Sequence, residues 1–316
     1  MRSGDKTAIV FAVLAALLYA LSSPFSKLLL NESVGSNALA AYLYLGAGAG
    51  MLLLWVIRRV VFPDRVSLHE SFNKSDIPFI VLMIVLDMAA PLLLLAGLNR
   101  TNAETVSLLN NFEIAATTLI AFAFFKERIK PRVWLAVVLI LIASILLSFE
   151  DISSFKMSLG GILVLLACCS WGFENNCTSR LSKRDPLKVV VIKGFGSGAG
   201  CLVIALLTRS SMGGAVQILL SLLLGFLAYG LSIFFYVWAQ RTLGAARTGA
   251  YYAVAPFIGV FLSMLIFREL PGLVFFVALA VMIVGVYLVS TNGKAANTQI
   301  TQCNDHKECE TNDRSR

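Results

Sequence analysis

The sequence is poor in the charged residues that a water-soluble protein needs on its surface. Only 14% of its 316 residues are charged, while 58% are hydrophobic. Soluble domains carry about 25% charged residues, so this composition excludes that class. The chain is therefore predicted to be a polytopic membrane protein.

Histidine and basic residues are scarce where chemistry would need them. The two histidines, His69 and His306, fall in a loop and in the tail, and neither an HExxH nor a GxSxG motif is present. An enzyme is therefore not expected, and neither is a cofactor or a metal, although an aspartyl-type dyad of two membrane carboxylates stays open. Lys193 is the only basic residue predicted to be buried within a span, whereas a carrier of phosphate esters needs several.

Cysteine also gives no sign of an extracellular scaffold. Four of the six cysteines lie within apolar stretches, and Cys303 and Cys309 lie in the polar tail. No cysteine is placed for an extracellular disulfide, so free thiols are predicted.

What the sequence has in abundance is apolar stretches of about 20 residues, each long enough to cross ~30 Å of hydrocarbon as a helix. Ten such spans are predicted. Their approximate bounds are 7–30, 37–57, 77–98, 102–125, 132–149, 158–179, 187–208, 214–238, 245–267 and 272–290.

The basic residues between the spans predict an orientation. With both termini in the cytoplasm, 20 of the 26 Lys and Arg lie inside and five outside, and Lys193 is within a span. This asymmetry follows the positive-inside rule. The net charge of +8 therefore reflects topology, and nucleic-acid binding is not expected.

The two halves of the chain resemble each other. Gly46–Gly50 in the second span matches Gly196–Gly200 in the seventh, and both are small-residue patterns that let helices approach closely. Pro131 and Pro271 are expected to open the fifth and tenth helices, and Pro24, Pro91 and Pro256 to lie inside helices. Five helices per half is an odd number, so the second half enters the membrane inverted.

The predicted fold is thus all-α, with ten transmembrane helices in two inverted five-helix repeats around a central cavity. The repeats are expected over residues 1–150 and 151–291, and a polar, disordered cytoplasmic tail over residues 292–316.

The fourth span is the most polar stretch at mid-membrane depth. On a continuous helix, Glu113 would share one half of the circumference with Ser107, Asn110, Asn111, Thr117 and Thr118. A carboxylate at this depth is costly unless it faces a cavity or a partner, so it indicates a functional site. The alternative is that Glu113 only holds helices together.

Other polar residues inside spans complete the candidate site. Glu174 and Lys193 are predicted at similar depth on consecutive helices, where they could form an ion pair or belong to a substrate site. The substrate- or proton-binding candidates are Asp87, Glu113, Glu174, Lys193, Asn110, Asn111, Asn175, Asn176, Trp171 and Tyr252.

These features resemble the EamA-type carriers of the drug/metabolite transporter superfamily through residue 290. The resemblance rests on the two five-helix halves, on Glu127 and Glu269 closing the fourth and ninth helices, on Pro256 thirteen residues before Glu269, and on Trp171-Gly172. It implies an inner-membrane carrier of small metabolites, often an exporter. The sequence departs from the pattern at Tyr19-Ala20, where similar proteins often have Trp-Gly, and at Glu113, near which they often have a proline.

The expected function is secondary transport by alternating access. Three acids against one lysine favour cationic or zwitterionic solutes such as amino acids, with possible proton coupling. A multidrug or cationic-compound efflux carrier is the alternative, and an intramembrane enzyme a weaker one. The partners expected are a small-molecule substrate and the lipid bilayer. The sequence does not predict the oligomeric state, and a monomer is one option.

Overall fold

The computed structural model describes residues 3–61, 72–125, 129–151, 156–181, 186–243, 248 and 251–289. In this part of the chain ten helical rods follow one another, several of them built from two helices. The helices are α1 Ser3–Ala20, α2 Ser22–Asn31, α3 Ser36–Val61, α4 Ile77–Leu98, α5 Ala103–Leu109, α6 Phe112–Phe125, α7 Pro131–Ser148, α8 Leu159–Leu181, α9 Pro186–Leu207, α10 Ala215–Leu224, α11 Ser232–Leu243, α12 Ala255–Phe267 and α13 Leu273–Val289.

These helices form a multi-pass membrane protein. Within the described residues, seven rods are long and apolar enough to cross a membrane, and α12 and α13 are shorter apolar helices. The remaining rod, α8, has 23 residues but carries Glu174, Asn175 and Asn176. Large apolar side chains such as Val60 and Leu207 face outward, as expected for a surface in contact with lipid. The predicted ten-helix, two-repeat fold is confirmed.

Four of the ten rods are irregular near their middle. The first rod breaks at Leu21, the fourth at Asn110–Asn111 and the ninth at Ala253–Val254, each as a turn between two helical pieces. In the eighth rod, a π-helical segment over Gly225–Leu231 separates α10 from α11. The breaks in the fourth and ninth rods lie at corresponding places of the two repeats, which matches the discontinuous helices of inverted-repeat transporters.

The break in the fourth rod corrects the prediction of one continuous helix with a single polar face. Asn110 and Asn111 form a turn in which the Asn111 amide donates to the carbonyl of Leu108, three residues back. Asparagine favours such turns because its side chain competes for backbone hydrogen bonds. Ser107 therefore lies on α5 and Glu113 on α6, with the turn between them.

The prolines behave in two ways. Pro91 lies inside α4 and Pro131 begins α7, as predicted. Pro24 and Pro256, which were expected inside helices, instead lie in the first turns of α2 and α12, directly after a break. A proline in the first turn loses no helical hydrogen bond, so proline is well tolerated directly after each break. Pro271 precedes α13 by two residues.

The glycine-rich stretches of the second and seventh spans pack against each other. A Cβ built on Gly194 would lie 2.5 Å from the Cα of Gly48, so the backbones of α3 and α9 are in direct contact there. This is the close approach that the small-residue patterns predict. It brings Lys193, next to Gly194, into the centre of the bundle.

A short antiparallel ribbon lies between the two halves, with β1 Phe149–Asp151 paired to β2 Lys156–Met157. The principal apolar core draws buried residues from both halves, among them Leu39, Leu95, Ile140 and Met282. Cys168, Cys169, Cys177 and Cys201 lie in helices as thiols and not in disulfides. Glu127 and residues 292–316, with Cys303 and Cys309, lie outside the described residues.

Candidate functional site

Lys193 on α9 forms ion pairs with two acidic side chains from neighbouring helices. Its ammonium lies 3.0 Å from Asp87 on α4 and 3.1 Å from Glu174 on α8. The side chains of Lys193, Asp87 and Glu174 are only 14%, 0% and 2% exposed, respectively. The predicted pair of Glu174 and Lys193 is therefore present, and Asp87 joins it.

Further hydrogen bonds fix this charged triad. The Tyr44 hydroxyl on α3 donates to Asp87 at 3.1 Å, the Trp171 indole donates to the Tyr44 oxygen at 3.4 Å, and the Thr178 hydroxyl donates to Glu174. Buried charges are tolerated only when each is paired and hydrogen-bonded. The triad thus ties together α3, α4, α8 and α9, and its two carboxylates outnumber its one ammonium.

Glu113 is held apart from the triad by a different contact. The Asn175 amide on α8 donates to Glu113 at 2.6 Å and to the Thr117 hydroxyl at 3.3 Å. The neighbouring amide of Asn176 donates to the Thr117 carbonyl at 3.1 Å and to the Gly172 carbonyl at 2.8 Å. These bonds join α6 of the first half to α8 of the second half. Glu113 and Asn175 are both partly exposed although they lie inside spans.

Gly172 explains how α6 and α8 approach so closely. A Cβ at this position would lie 2.9 Å from the Ala116 Cβ and from the Thr117 backbone nitrogen. Only glycine leaves room for this crossing. The Trp171-Gly172 pair therefore has two separate roles, because the indole reaches Tyr44 while the glycine admits α6.

The turn in the fourth rod leaves polar atoms without partners. The side-chain oxygens of Asn110, Asn111 and Ser107 are buried and make no hydrogen bond within the described part of the chain. The Asn111 amide nitrogen does donate, to the Leu108 carbonyl at 3.2 Å. Buried polar atoms normally have partners, so these oxygens are exceptions among the described residues.

Tyr252, the last predicted site residue, lies in a row of tyrosine rings. Its ring centroid is 5.6 Å from that of Tyr19 and 4.9 Å from that of Tyr236. Tyr19 in turn contacts Tyr229, 6.2 Å away, and Tyr229 contacts Tyr44 at 5.5 Å. The candidate residues thus fall into four groups. These are the triad with Trp171, the contacts of Asn175 and Asn176 with α6 at Glu113, the turn of Asn110 and Asn111, and this tyrosine row. Tyr19, Tyr44, Tyr229 and Tyr236 were not among the predicted site residues, although a tyrosine hydroxyl inside an apolar span is itself a signal.

Among the described residues, no group of three or more His, Cys, Asp and Glu side chains could hold a metal ion.

The sequence of this chain is similar to that of known transporters. The model of the EamA-like transporter family matches residues 6–149 and 158–291, once for each half. The chain belongs to this family. An uncharacterized transporter of Methanothermobacter thermautotrophicus is 26% identical over 313 residues, covering 89% of this chain and 85% of that protein. A solved crystal structure superposes with a TM-score of 0.63 and 17% identity over 93% of this chain and 98% of the other, a similarity of fold. The EamA protein described here is thus a membrane transporter.

Proposed function

We propose that this protein carries small organic cations or zwitterions, such as amino acids, by alternating access, with Glu113 as the carboxylate that binds the solute or the coupling proton. In this proposal the moving units are the repeats over residues 1–150 and 151–291. The protein lies in the inner membrane with both termini in the cytoplasm. The proposed direction of transport is outward, as the family resemblance implies.

The position of Glu113 carries the proposal. This carboxylate is partly exposed, lies next to the break in the fourth rod, and contacts Asn175 of the other half at 2.6 Å. Inverted-repeat carriers bind solutes near the bilayer midplane, between the repeats and beside discontinuous helices. A group that only held helices together would need no accessible surface, so its exposure favours a binding role.

The charge balance of the interior supports the class of solute. Lys193 already neutralises one of its two acidic neighbours, so the triad carries a net charge of −1 when all three groups are ionised. Glu113 adds a second negative charge, and in the described part of the chain no basic side chain pairs with it. An anionic solute would be repelled from such a site, whereas a cation or the ammonium of a zwitterion would be attracted.

Protonation of Glu113 supplies the route for coupling in this proposal. A proton and a cationic solute would both bind the Glu113 carboxylate, so solute binding and proton binding compete for the same oxygen atoms. An exporter of this kind would admit a proton from outside as the solute leaves. Neither step requires a cofactor.

The test compares Glu113→Gln with the wild type in proteoliposomes, using labelled amino acids and cationic drugs in counterflow. Glutamine keeps the shape and accepts the Asn175 amide but cannot ionise. If Glu113 carries the proton, transport driven by a proton gradient is lost while exchange persists. If Glu113 binds the solute, exchange also falls, because the variant binds the solute more weakly by about 1.5–3 kcal/mol.

Glu32→Gln is the matched control, because Glu32 is exposed at the end of α2. This variant should transport like the wild type. Wild-type transport and pH dependence in a stably folded Glu113→Gln protein would contradict both roles of Glu113. Recovery of chemically altered solute would instead favour the enzyme alternative.

A further inference from the structure

The end of α3 and the beginning of α9 lie on the same side of the membrane. A Cβ built on Gly198 would lie 2.8 Å from the Leu45 backbone nitrogen, and one built on Gly194 would lie 2.5 Å from the Gly48 Cα. Between these two contacts the residue numbers rise along α3 and fall along α9, so the two helices are antiparallel. The positive-inside rule predicts that their shared end is cytoplasmic.

An apolar contact with one aromatic ring continues from the crossing toward this shared end. Leu187 of α9 is buried in a cluster with Met51 of α3, and Trp55 packs against the same cluster. Trp55 lies seven residues after Gly48, and Leu187 lies seven residues before Gly194. Each is therefore two helical turns, about 10 Å, from the crossing. The two helices stay side by side to this level.

Two basic side chains lie at this end of the helix pair. The guanidinium carbon of Arg59, one turn after Trp55, is 5.2 Å from the centroid of the indole ring. Lys188 directly follows Leu187 in the first turn of α9. Both basic side chains are exposed, and neither forms an ion pair within the described part of the chain. Their charges are therefore available to an external anion.

The surroundings of these two cations combine positive charge with an apolar stripe. Residues 58–65 and 180–188 contain seven basic and two acidic residues. Leu52 and Val56 are exposed and lie one and two turns before Arg59, so all three share one face of α3. Basic clusters between transmembrane helices on the cytoplasmic side are typical sites for the headgroups of anionic lipids.

We propose that Arg59, Trp55 and Lys188 bind the headgroup of an anionic phospholipid at this end of the α3–α9 pair. One of its acyl chains lies along Leu52 and Val56. Arginine binds a phosphate through two parallel N–H bonds, and lysine adds a point charge. Tryptophan favours the boundary between headgroups and hydrocarbon. A free phosphate would use the two charges but not the apolar stripe, which favours a lipid as the occupant.

Native mass spectrometry of the delipidated full-length protein in detergent tests this site. The probes are dioleoylphosphatidylglycerol, which carries one negative charge, and dioleoylphosphatidylcholine, which has the same acyl chains and no net charge. The first molecule of the anionic lipid should bind at least about tenfold more tightly than the first molecule of the neutral lipid. Equal affinities would overturn the recognition of an anionic headgroup. Displacement of the anionic lipid by excess inorganic phosphate would overturn its assignment to a lipid.

Single-charge variants locate the site. Arg59→Gln and Lys188→Gln should each weaken binding of the anionic lipid by about fivefold, and the double variant by about 25-fold, with binding of the neutral lipid unchanged. The matched control is Arg132→Gln, because Arg132 is exposed in the first turn of α7 on the same predicted side. It should bind both lipids like the wild type. An equal loss in Arg132→Gln, or no loss in the double variant, would overturn the site.

Melting temperatures separate lipid binding from folding. Without added lipid, the double variant Arg59→Gln/Lys188→Gln should melt with the wild type, because both side chains are exposed. The anionic lipid should raise the melting temperature of the wild type more than that of the double variant, since a ligand stabilises the folded state that binds it. An equal rise in both proteins would contradict the site.

Discussion

At the residue scale, Lys193 is the side chain on which the charged interior most depends. Its ammonium is the shared partner of Asp87 and Glu174. Replacing it by Met leaves two buried carboxylates facing each other. Removing one partner of a buried ion pair costs about 3–5 kcal/mol. We therefore expect Lys193→Met to lower the unfolding free energy in detergent by this amount, measured by denaturant titration.

Two further variants make this prediction specific. Lys188→Met changes an exposed lysine on the same helix and should leave stability unchanged. Adding Asp87→Asn to Lys193→Met removes one of the two unbalanced charges and should recover part of the loss, as expected for coupled residues. Equal stability of Lys193→Met and Lys188→Met would show that the triad does not stabilise the fold.

The sequence allowed part of this site to be predicted. Glu174 and Lys193 lie on consecutive helices at matched depth, so helix geometry alone brings them together. Asp87 and Tyr44 join them because α4 and α3 pack against α9. The glycine patterns predict a close approach of helices, but they do not say which helices meet. The same holds for the tyrosines, whose side chains come from rods far apart in the chain.

At the element scale, hydropathy located the rods but not their interruptions. The apolar run of the fourth span continues across Asn110 and Asn111, so its average hydropathy does not register a turn of two residues. The useful signal was the side-chain chemistry of two adjacent asparagines, which favours turns. The prediction of one continuous helix placed Ser107 and Glu113 on a single polar face. In the structure these residues are divided between α5 and α6.

The crossing of α3 and α9 gives a prediction at this scale. A valine at Gly194 would place its side chain against the backbone of Gly48, where a Cβ already comes within 2.5 Å. Overpacking costs about 1–3 kcal/mol in a core that can relax, and more where backbone meets backbone. Gly194→Val should therefore lower the melting temperature and the yield of monodisperse protein in size-exclusion chromatography.

Ala199→Val is the matched control, because Ala199 lies on the exposed side of the same helix. It should behave like the wild type. A normal melting temperature for Gly194→Val would mean that α3 and α9 do not cross this closely in the membrane.

At the scale of the whole molecule, four of the five basic residues predicted outside lie at helix ends. Lys27 donates to the carbonyls of Leu98 and Thr101 at 2.6 and 2.9 Å, and Arg100 donates to the Ala96 carbonyl at 2.8 Å, all at the end of α4. Arg209 and Arg268 follow the ends of α9 and α12 with φ of 49° and 55°. Cations at helix C-termini are stabilised by the unpaired carbonyls there. Four of these five residues thus lie near helix ends, where a cation is favourable on either side of the membrane. The excess of Lys and Arg on the predicted cytoplasmic side is therefore the part of the charge distribution that predicts the orientation.

The orientation is the last prediction. In a variant without the six native cysteines, Asn31→Cys and Lys130→Cys place a single thiol at exposed positions on opposite sides of the membrane. The positive-inside rule puts Asn31 outside and Lys130 inside. A membrane-impermeant maleimide should therefore label Asn31→Cys in intact cells and Lys130→Cys only after permeabilisation. The reverse pattern would invert the topology, and labelling of both in intact cells would show that the chain inserts in two orientations.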